Sequence, residues 1–120
     1  MISVFDLTTF IFEALEIASP KNMVSQTVTD VVGTDLQNFR FKVFALGKAS
    51  SSMFEGLIET IPASNISGAL IISHMVEETQ KELDGVSYVF GPHPLIDENS
   101  EIAGTLAQNF FRGIKKDKQV

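Results

Sequence analysis

The stretch Arg40-Phe-Lys-Val-Phe-Ala-Leu-Gly-Lys48 decides the fold of this chain. It begins with alternating polar and apolar residues and ends as a continuous apolar run, which is typical of a strand entering a parallel sheet that is covered on both faces. Gly47 breaks the run, and apolar residues then recur at helical spacing until Pro62. The residues of this helical stripe are Met53, Phe54, Leu57, Ile58 and Ile61.

Two further strands and two further helices are predicted downstream. The order strand, helix, strand, helix, strand, helix is typical of a parallel sheet with helices on both faces. The sequence therefore predicts an α/β fold, a three-layer α/β/α Rossmann-like domain with a mostly parallel sheet. The downstream elements are strands at 69–72 and 86–90, a short acidic helix at 76–83, a turn at Asp84-Gly85, and a last helix from Asp97 or Ser100 to Arg112, with Ile102, Ala103, Leu106, Phe110 and Phe111 facing inward.

Two helices are predicted before the first strand. Ser3 and Asp6 predict a capping box at the start of the first helix, and Pro20 ends that helix at Ser19. Ser19 as cap and Pro20 at the first helical position then begin a second helix that continues through Val28. Residues 29–39 show no clear period, so we interpret them as a connection. The apolar face of the first helix consists of Leu7, Phe10, Ile11, Ala14, Leu15 and Ala18.

Length and composition restrict the classes of function. The 120 residues predict a single α/β domain over 1–120, and the net charge of −6 argues against a nucleic-acid partner, because phosphate binding needs clustered Lys and Arg. The absence of cysteine excludes disulfides and thiolate metal sites. The apolar opening lacks a basic start and contains Asp6, Glu13 and Glu16, which argues against a membrane span or a secretory signal. We therefore expect a cytoplasmic protein.

Polar residues follow all three predicted strands. The first strand is followed by Gly47-Lys48, the second by Ser73-His74, and the third by Gly91-Pro92-His93-Pro94. In an open parallel sheet, ligands bind outside the carboxyl ends of the strands. The sequence therefore predicts a ligand site where these three segments meet.

Lys48 is the strongest single candidate at this site. We place it in the first turn of a helix, where the helix dipole disfavours a cation. An anion bound by the Lys48 ammonium, by backbone N–H groups and by the hydroxyls of Ser50, Ser51 or Ser52 would remove this conflict, and Gly47 would let the backbone approach the anion. The alternative is a lysine that points into solvent.

The two histidines and the segment 97–100 leave alternatives open. His74 and His93 have no neighbouring carboxylate at ligand spacing, so no metal site is predicted. His93 stands between two prolines, which present the imidazole either to a ligand or to a hydrogen bond that holds the strand exit. For His74 we favour a structural role. Asp97 and Ser100 have the residue types of a helix cap and a first-turn residue.

Known nucleotide motifs are absent from the sequence. Lys42 stands where the first glycine of a P-loop belongs, Ala49 follows Lys48, and no Gly-x-Gly-x-x-Gly occurs anywhere. A nucleotide would therefore have to bind in another way. The missing dinucleotide fingerprint also disfavours an oxidoreductase that acts on hydroxypyruvate.

Three segments occur in an order that points to a family. They are Val43-Phe-Ala-Leu-Gly-Lys-Ala49, Gly68-Ala-Leu-Ile-Ile72 and His93-Pro94-x-x-Asp97-x-x-Ser100-x-x-Ala103. Together they resemble the amino-terminal domain of the bacterial and archaeal glycerate kinases whose carboxy-terminal part is called the MOFRL domain. The ending of the first helix, Ala18-Ser19-Pro20, is also similar to that family's first helix.

The resemblance implies a kinase domain with a Rossmann-like fold. Family members transfer the γ-phosphoryl group of ATP, with Mg²⁺, to glycerate. The resemblance implies that Lys48 is a catalytic or substrate-binding lysine that stabilises negative charge on glycerate or on the moving phosphoryl group, which is what phosphoryl transfer chiefly needs from a protein. By the same match, His93, Asp97 and Ser100 belong to the motif beside the cleft.

The chain departs from the family in two loops and in length. Pro92 stands directly before His93, where the family usually has glycine, and Ser73-His74-Met75 differs from the usual basic, glycine-containing run. Family members run to several hundred residues, and the alternation of elements predicts a fourth strand after 115–120. We therefore expect the front portion of a glycerate kinase that binds neither ATP nor Mg²⁺ tightly and is inactive alone.

An alternative belongs to a different class of protein. A three-stranded α/β domain without catalytic activity can bind a small anion, or it can form a homo-oligomer through its uncovered sheet edge.

Overall fold

The structure, a computed structural model, describes residues 1, 3–33, 35–74 and 83–116. These residues form four α-helices and three strands in the predicted α/β order, with short 3₁₀ turns at Asp35–Asn38 and Ala63–Asn65. The helix predicted at 76–83 and the segment after Lys116 lie outside the described residues, except for Leu83. The elements are α1 (Val4–Ile17), α2 (Pro20–Val32), β1 (Phe41–Leu46), α3 (Ser50–Thr60), β2 (Ile66–Ser73), β3 (Val86–Phe90) and α4 (Glu98–Lys116).

The described strands form one parallel sheet in the order β1-β2-β3. Leu46 at the end of β1 is in register with Ile72 near the end of β2, and Ile72 is in register with Val89 near the end of β3. The carboxyl ends of all three strands therefore lie at the same edge of the sheet. This confirms the parallel sheet that the three apolar runs predicted.

The central strand β2 is covered on both faces. Ala69 and Ile71 pack against Phe54 of α3, whereas Leu70 and Ile72 pack against Ala103 of α4. This alternation follows from the two-residue period of a strand, which turns successive side chains to opposite faces. The sheet thus lies between α3 and α4, and the predicted three-layer arrangement is confirmed.

Helix α2 lies against α3. A hydrogen bond of 2.8 Å joins the hydroxyls of Ser25 and Thr60, and Lys21 Nζ lies 2.7 Å from a carboxylate oxygen of Glu59. The hydrogen bond to Glu59 and the charge of its carboxylate raise the pKa of Lys21 above its usual value of 10.5. Because this pair is exposed, it adds little to stability.

The predicted starts of α1 and α2 are confirmed. The Ser3 hydroxyl accepts a hydrogen bond from the Asp6 N–H at 3.0 Å, and the Asp6 carboxylate accepts one from the Ser3 N–H at 3.1 Å. Ser19 caps α2 by accepting a hydrogen bond from the Asn22 N–H at 3.2 Å, with Pro20 at the first helical position. Local capping chemistry therefore determines where these two helices begin.

Helix α2 is longer than the sequence predicted. The interpretation of 29–39 as a connection is wrong over its first four residues, because α2 continues to Val32 and ends at Gly33, whose φ is +58°. β-Branched residues weaken the helical signal in this stretch. The hydroxyls of Thr27 and Thr29 donate to the carbonyl oxygens of Met23 and Ser25, so both hydroxyls have hydrogen-bond partners within the helix.

Some residues predicted to face inward are exposed. In α1, the whole predicted apolar face is exposed, because no described element packs over it. In α4, Ala103 is buried and Phe110 is half-buried, but Ile102 is 54% exposed, since α4 contacts the sheet along a narrower stripe than predicted. Among the described helices, none is both long enough and apolar enough to cross a membrane.

Candidate functional site

Hydrogen bonds hold the ends of the three strands together. The carbonyl oxygen of Ile72 accepts a hydrogen bond from the Gly47 N–H and another from the Ser50 hydroxyl, both at 3.0 Å. On the other side of β2, the Gly91 N–H donates to the carbonyl oxygen of Ser73 at 2.8 Å. The loops after β1 and β3 are therefore anchored on the last residues of β2.

A cavity of about 400 Å³ lies where these loops meet. Its polar side chains come from four different segments: Lys48 after β1, His74 after β2, His93 after β3, and Ser100 in the first turn of α4. The remaining side chains are mostly apolar and come from β1, β2 and α4. The structure thus brings the three predicted strand exits to one cavity.

Two glycines are needed for this geometry. Gly47 has a φ of +113°, in a region that residues with a side chain rarely adopt. A Cβ atom on Gly91 would lie 2.8 Å from Cγ2 of Ile72, so a side chain there would displace the cavity wall. Both glycines line the cavity and allow the two loops to approach β2 closely.

Lys48 lies just before helix α3. The helix begins at Ser50 with Ala49 as its N-cap, so the prediction that Lys48 belongs to the first helical turn is wrong by two residues. The difference arises because the chain makes a turn at Lys48 and Ala49, and the Ser50 N–H bonds to the Gly47 carbonyl oxygen at 3.1 Å. Lys48 is exposed, lines the cavity and has no ion-pair partner among residues 35–74 and the other described segments.

Ser50 and Ser51 lie away from the cavity. Both are buried in the first turn of α3, and neither is among the residues that line the cavity. The Ser50 hydroxyl donates to the Ile72 carbonyl oxygen, while the Ser51 hydroxyl has no partner within the described segments. These hydroxyls face the interior because the first turn of α3 packs against the sheet.

The two histidines lie side by side at the cavity. Their ring centroids are 5.9 Å apart, although nineteen positions separate them in the chain. His93 is exposed between Pro92 and Pro94, whereas His74 is half-buried, with an Nδ1 that has no partner among the described residues. Sequence reasoning favoured a structural role for His74, and the structure places it in the cavity wall. Its position directly after the strand that contains the apolar run Ala69-Leu-Ile-Ile72 was the available signal.

Asp97 and Ser100 form a capping box at the start of α4. The Asp97 carboxylate accepts a hydrogen bond from the Asn99 N–H at 2.8 Å, and the Ser100 hydroxyl accepts one from the Asp97 N–H at 3.3 Å. Ser100 lines the cavity, but Asp97 does not. The geometry of Asp97 therefore matches the helix-cap alternative. Ser100 takes part in the cap and also lines the cavity.

The lining suits an anionic ligand with an apolar part. The described residues of the lining include Lys48 and two histidines, and none of them is a carboxylate. Within the described residues, no group of three or more carboxylates and histidines is arranged to hold a metal ion. Because Mg²⁺ prefers carboxylate and other oxygen ligands, this part of the chain does not fit a magnesium site.

Comparison with known proteins gives one family. A family model described as "Domain of unknown function (DUF4147)" matches residues 6–120, which is nearly the whole chain. The searches of curated proteins and of solved structures returned no significant match. The matched range includes every residue of the cavity wall.

Proposed function

The chain belongs to the DUF4147 family, the amino-terminal domain of glycerate kinase-like, MOFRL-associated proteins, and from this premise we propose that it forms the glycerate-binding part of an ATP-dependent glycerate kinase. The observation that supports the proposal most strongly is the position of Lys48. Its ammonium belongs to the same cavity as His74 and His93, at the carboxyl ends of three parallel strands. Among the described residues, no carboxylate lines that cavity beside Lys48.

In this proposal, Lys48 binds the negative charge of the substrate. Phosphoryl transfer requires positioning and charge stabilisation more than covalent chemistry from the protein. The N-terminus of α3 begins two residues after Lys48, at the same edge of the sheet as the cavity, and adds a positive partial charge at that edge. The apolar wall residues lower the local dielectric constant, so an ion pair formed against them is stronger than one in open solvent.

Calorimetric titration of the chain with glycerate tests the proposal. We expect the wild type to bind glycerate and Lys48→Ala to bind it at least tenfold more weakly, because about 1.4 kcal/mol of charge-assisted binding corresponds to a tenfold change. Lys48→Arg retains the charge and should lose less. Inorganic phosphate and ADP serve as further probes of how general the anion binding is.

Arg40→Ala is the matched control. Arg40 is exposed and directly precedes β1, so it lies at the opposite end of that strand from Lys48 and its replacement removes the same unit of charge. We expect the Arg40→Ala variant to bind glycerate like the wild type. Equal losses in both variants, or no glycerate binding by the wild type, would contradict the proposal.

A coupled ADP-release assay with glycerate and ATP tests the catalytic step. We expect no turnover from this chain, since its described residues offer no carboxylate set for Mg²⁺ with ATP. Turnover that disappears in Lys48→Ala would overturn this expectation and would assign the complete reaction to these 120 residues.

A second candidate function is assembly with another copy of the chain, and the exposure of α1 favours it. Phe5, Phe10 and Phe12 are 78%, 66% and 66% exposed. Phe5 and Phe12 are seven positions apart and lie on one side of the helix, whereas Phe10 lies on the opposite side. At roughly 200 Å² per phenylalanine, Phe5 and Phe12 present about 300 Å², less than half of the roughly 800 Å² that each partner of a stable complex buries. Leu15, three positions after Phe12, is also exposed and extends this area, and Leu7, Ile11 and Ile17 are exposed on other sides of the helix.

A further inference from the structure

His74 occupies a position that the proposed function does not yet use. It directly follows Ser73, the last residue of the central strand, and its side chain lines the same cavity as Lys48. Its ring lies 5.9 Å from the ring of His93, centroid to centroid. His74 and Lys48 thus line one cavity of about 400 Å³, in which a single small ligand can contact both.

The Nδ1 atom of His74 restricts where the ring carries its proton. This atom is buried and has no hydrogen-bond partner among the described residues. A neutral imidazole has its proton on one nitrogen, and the other nitrogen is an acceptor. A proton on Nδ1 would leave a buried N–H without an acceptor, which is costly. The burial of Nδ1 therefore favours the tautomer with the proton on Nε2.

We propose that His74 is a specificity-determining residue of the cavity, whose Nε2–H donates a hydrogen bond to a hydroxyl oxygen of the anion held by Lys48. The inference rests on the proposed function and extends it to a substrate class, the small hydroxy acids. His74 is half-buried and lines the cavity while its Nδ1 is buried, so the inference assigns the opposite edge of the ring, which carries Nε2, to the cavity.

The two polar groups have separate roles in this arrangement. Lys48 binds the carboxylate through its charge, and any small carboxylic acid satisfies it. His74 contributes a directional bond that a hydroxy acid can accept and an unsubstituted acid cannot. A site built to bond a hydroxyl group discriminates against the analogue that lacks it, because the polar group is then left without a partner.

Binding of glycerate and of propionate, compared in calorimetric titrations, tests this role. We expect the wild type to bind glycerate about tenfold more tightly than propionate, the size of one hydrogen bond. His74→Leu should bind the two acids equally. Lys48→Ala should weaken both by a similar factor, since it removes the shared ionic contact.

Two conservative variants separate a ligand contact from a structural role. His74→Gln places an amide N–H near the position of Nε2, and His74→Asn places one near the position of Nδ1. We expect the Gln variant to retain the preference for glycerate and the Asn variant to lose it. The opposite order would show that the buried nitrogen is the important one and would overturn the inference. Circular dichroism confirms that each variant is folded before it is titrated.

The tautomer is measured without any ligand. Nitrogen-15 NMR of the wild type at mildly alkaline pH should show the His74 proton on Nε2, and a proton on Nδ1 would contradict the inference while leaving glycerate binding untouched. A wild type that binds glycerate, together with a His74→Leu variant that keeps the preference, also overturns this inference alone. If the wild type binds neither acid, the proposed function fails and the hydroxyl contact fails with it.

Discussion

Gly56 of α3 lies directly against the backbone of Lys21 in α2. A Cβ atom built on Gly56 would overlap the carbonyl group of Lys21, so no side chain fits between the two helices at this point. The close approach also positions Ser25 next to Thr60 and Lys21 next to Glu59. Gly56 therefore determines how closely α2 packs on α3, the helix that covers one face of the sheet.

Replacing this glycine should destabilise the protein. Gly56→Ala forces α2 away from α3 against backbone atoms that cannot rotate aside, and such overpacking typically costs about 1–3 kcal/mol. The free energy of unfolding, measured in denaturant, should fall by that amount. Gly104→Ala is the control, because a Cβ on Gly104 meets nothing within 4 Å and alanine favours the helix by about 1 kcal/mol. Equal effects of the two substitutions would contradict the close contact.

Removing the cap of α4 should lower stability without changing ligand affinity. Asp97 holds the Asn99 N–H and lies outside the cavity wall. Asp97→Ala should therefore reduce the free energy of unfolding by about 0.5–2 kcal/mol, and Asp97→Asn, which retains a capping oxygen, should lose less. Glycerate affinity measured on both variants checks the assignment. A stable Asp97→Asn variant that no longer binds glycerate would place Asp97 in the site, as the resemblance to glycerate kinases implies.

The Asp6 carboxyl group in the capping box of α1 should titrate below the usual range for aspartate. Hydrogen bonds from the Ser3 hydroxyl and the Ser3 N–H to the carboxylate lower the pKa of Asp6 from its ordinary value of 3.8. Because the folded pKa is the lower one, the stabilisation is present above about pH 4 and is lost as the pH falls through the folded pKa. Carbon-13 NMR of the Asp6 carboxyl group follows this titration.

Ser3→Ala tests the cause of that shift. We expect the titration midpoint of the Asp6 carboxyl group to move up toward 3.8 in this variant, because alanine lacks the hydroxyl that donates to the carboxylate. Ser64→Ala, which removes an exposed hydroxyl far along the chain, should leave the midpoint unchanged. The same midpoint in Ser3→Ala and in the wild type would show that the capping box does not control the Asp6 carboxylate.

The exposed apolar surface of α1 should cause self-association. Sedimentation velocity over a concentration series should show association of the wild type, because exposed apolar surface is costly in water. The association should become weaker when Phe5 and Phe12 are both replaced by serine. Val31→Ser provides a control, since Val31 of α2 is 78% exposed but lies outside α1. A wild type that remains monomeric at every concentration, or an equal effect of Val31→Ser, would argue against assembly through α1.

Much of the fold follows from local patterns. The strand that begins near Arg40 and the strand Val86–Phe90 were predicted within one residue, because each is an apolar run bounded by turn-forming residues. The starts of two helices were predicted from Ser3, Ser19 and Pro20, because a cap residue interacts with backbone groups only three or four residues away. The length of α2 was missed because its β-branched residues give a weak local signal, and packing on α3 overrides that signal.

The sequence predicted where the candidate site lies, but some of the residues that it proposed for the site lie elsewhere. Lys48 and His93 were expected at strand exits, and both line the cavity. Ser50 and Ser51 follow Lys48 closely in sequence, but they face the interior, because the first turn of α3 packs on the sheet. Sequence spacing does not reveal which way a hydroxyl points once a helix has docked against other elements.

The sequence by itself determined the order of strands and helices, their caps, and the placement of a lysine and two histidines within three residues of the ends of the strands. These features depend on neighbours a few residues apart, so local chemistry encodes them. The tertiary structure decided that His74 and His93 meet, that the Ser50 hydroxyl is used on Ile72, and that Gly56 must be glycine. Each of these facts depends on the parallel register of the strands or on the packing of one helix against another, which join residues that the chain keeps far apart.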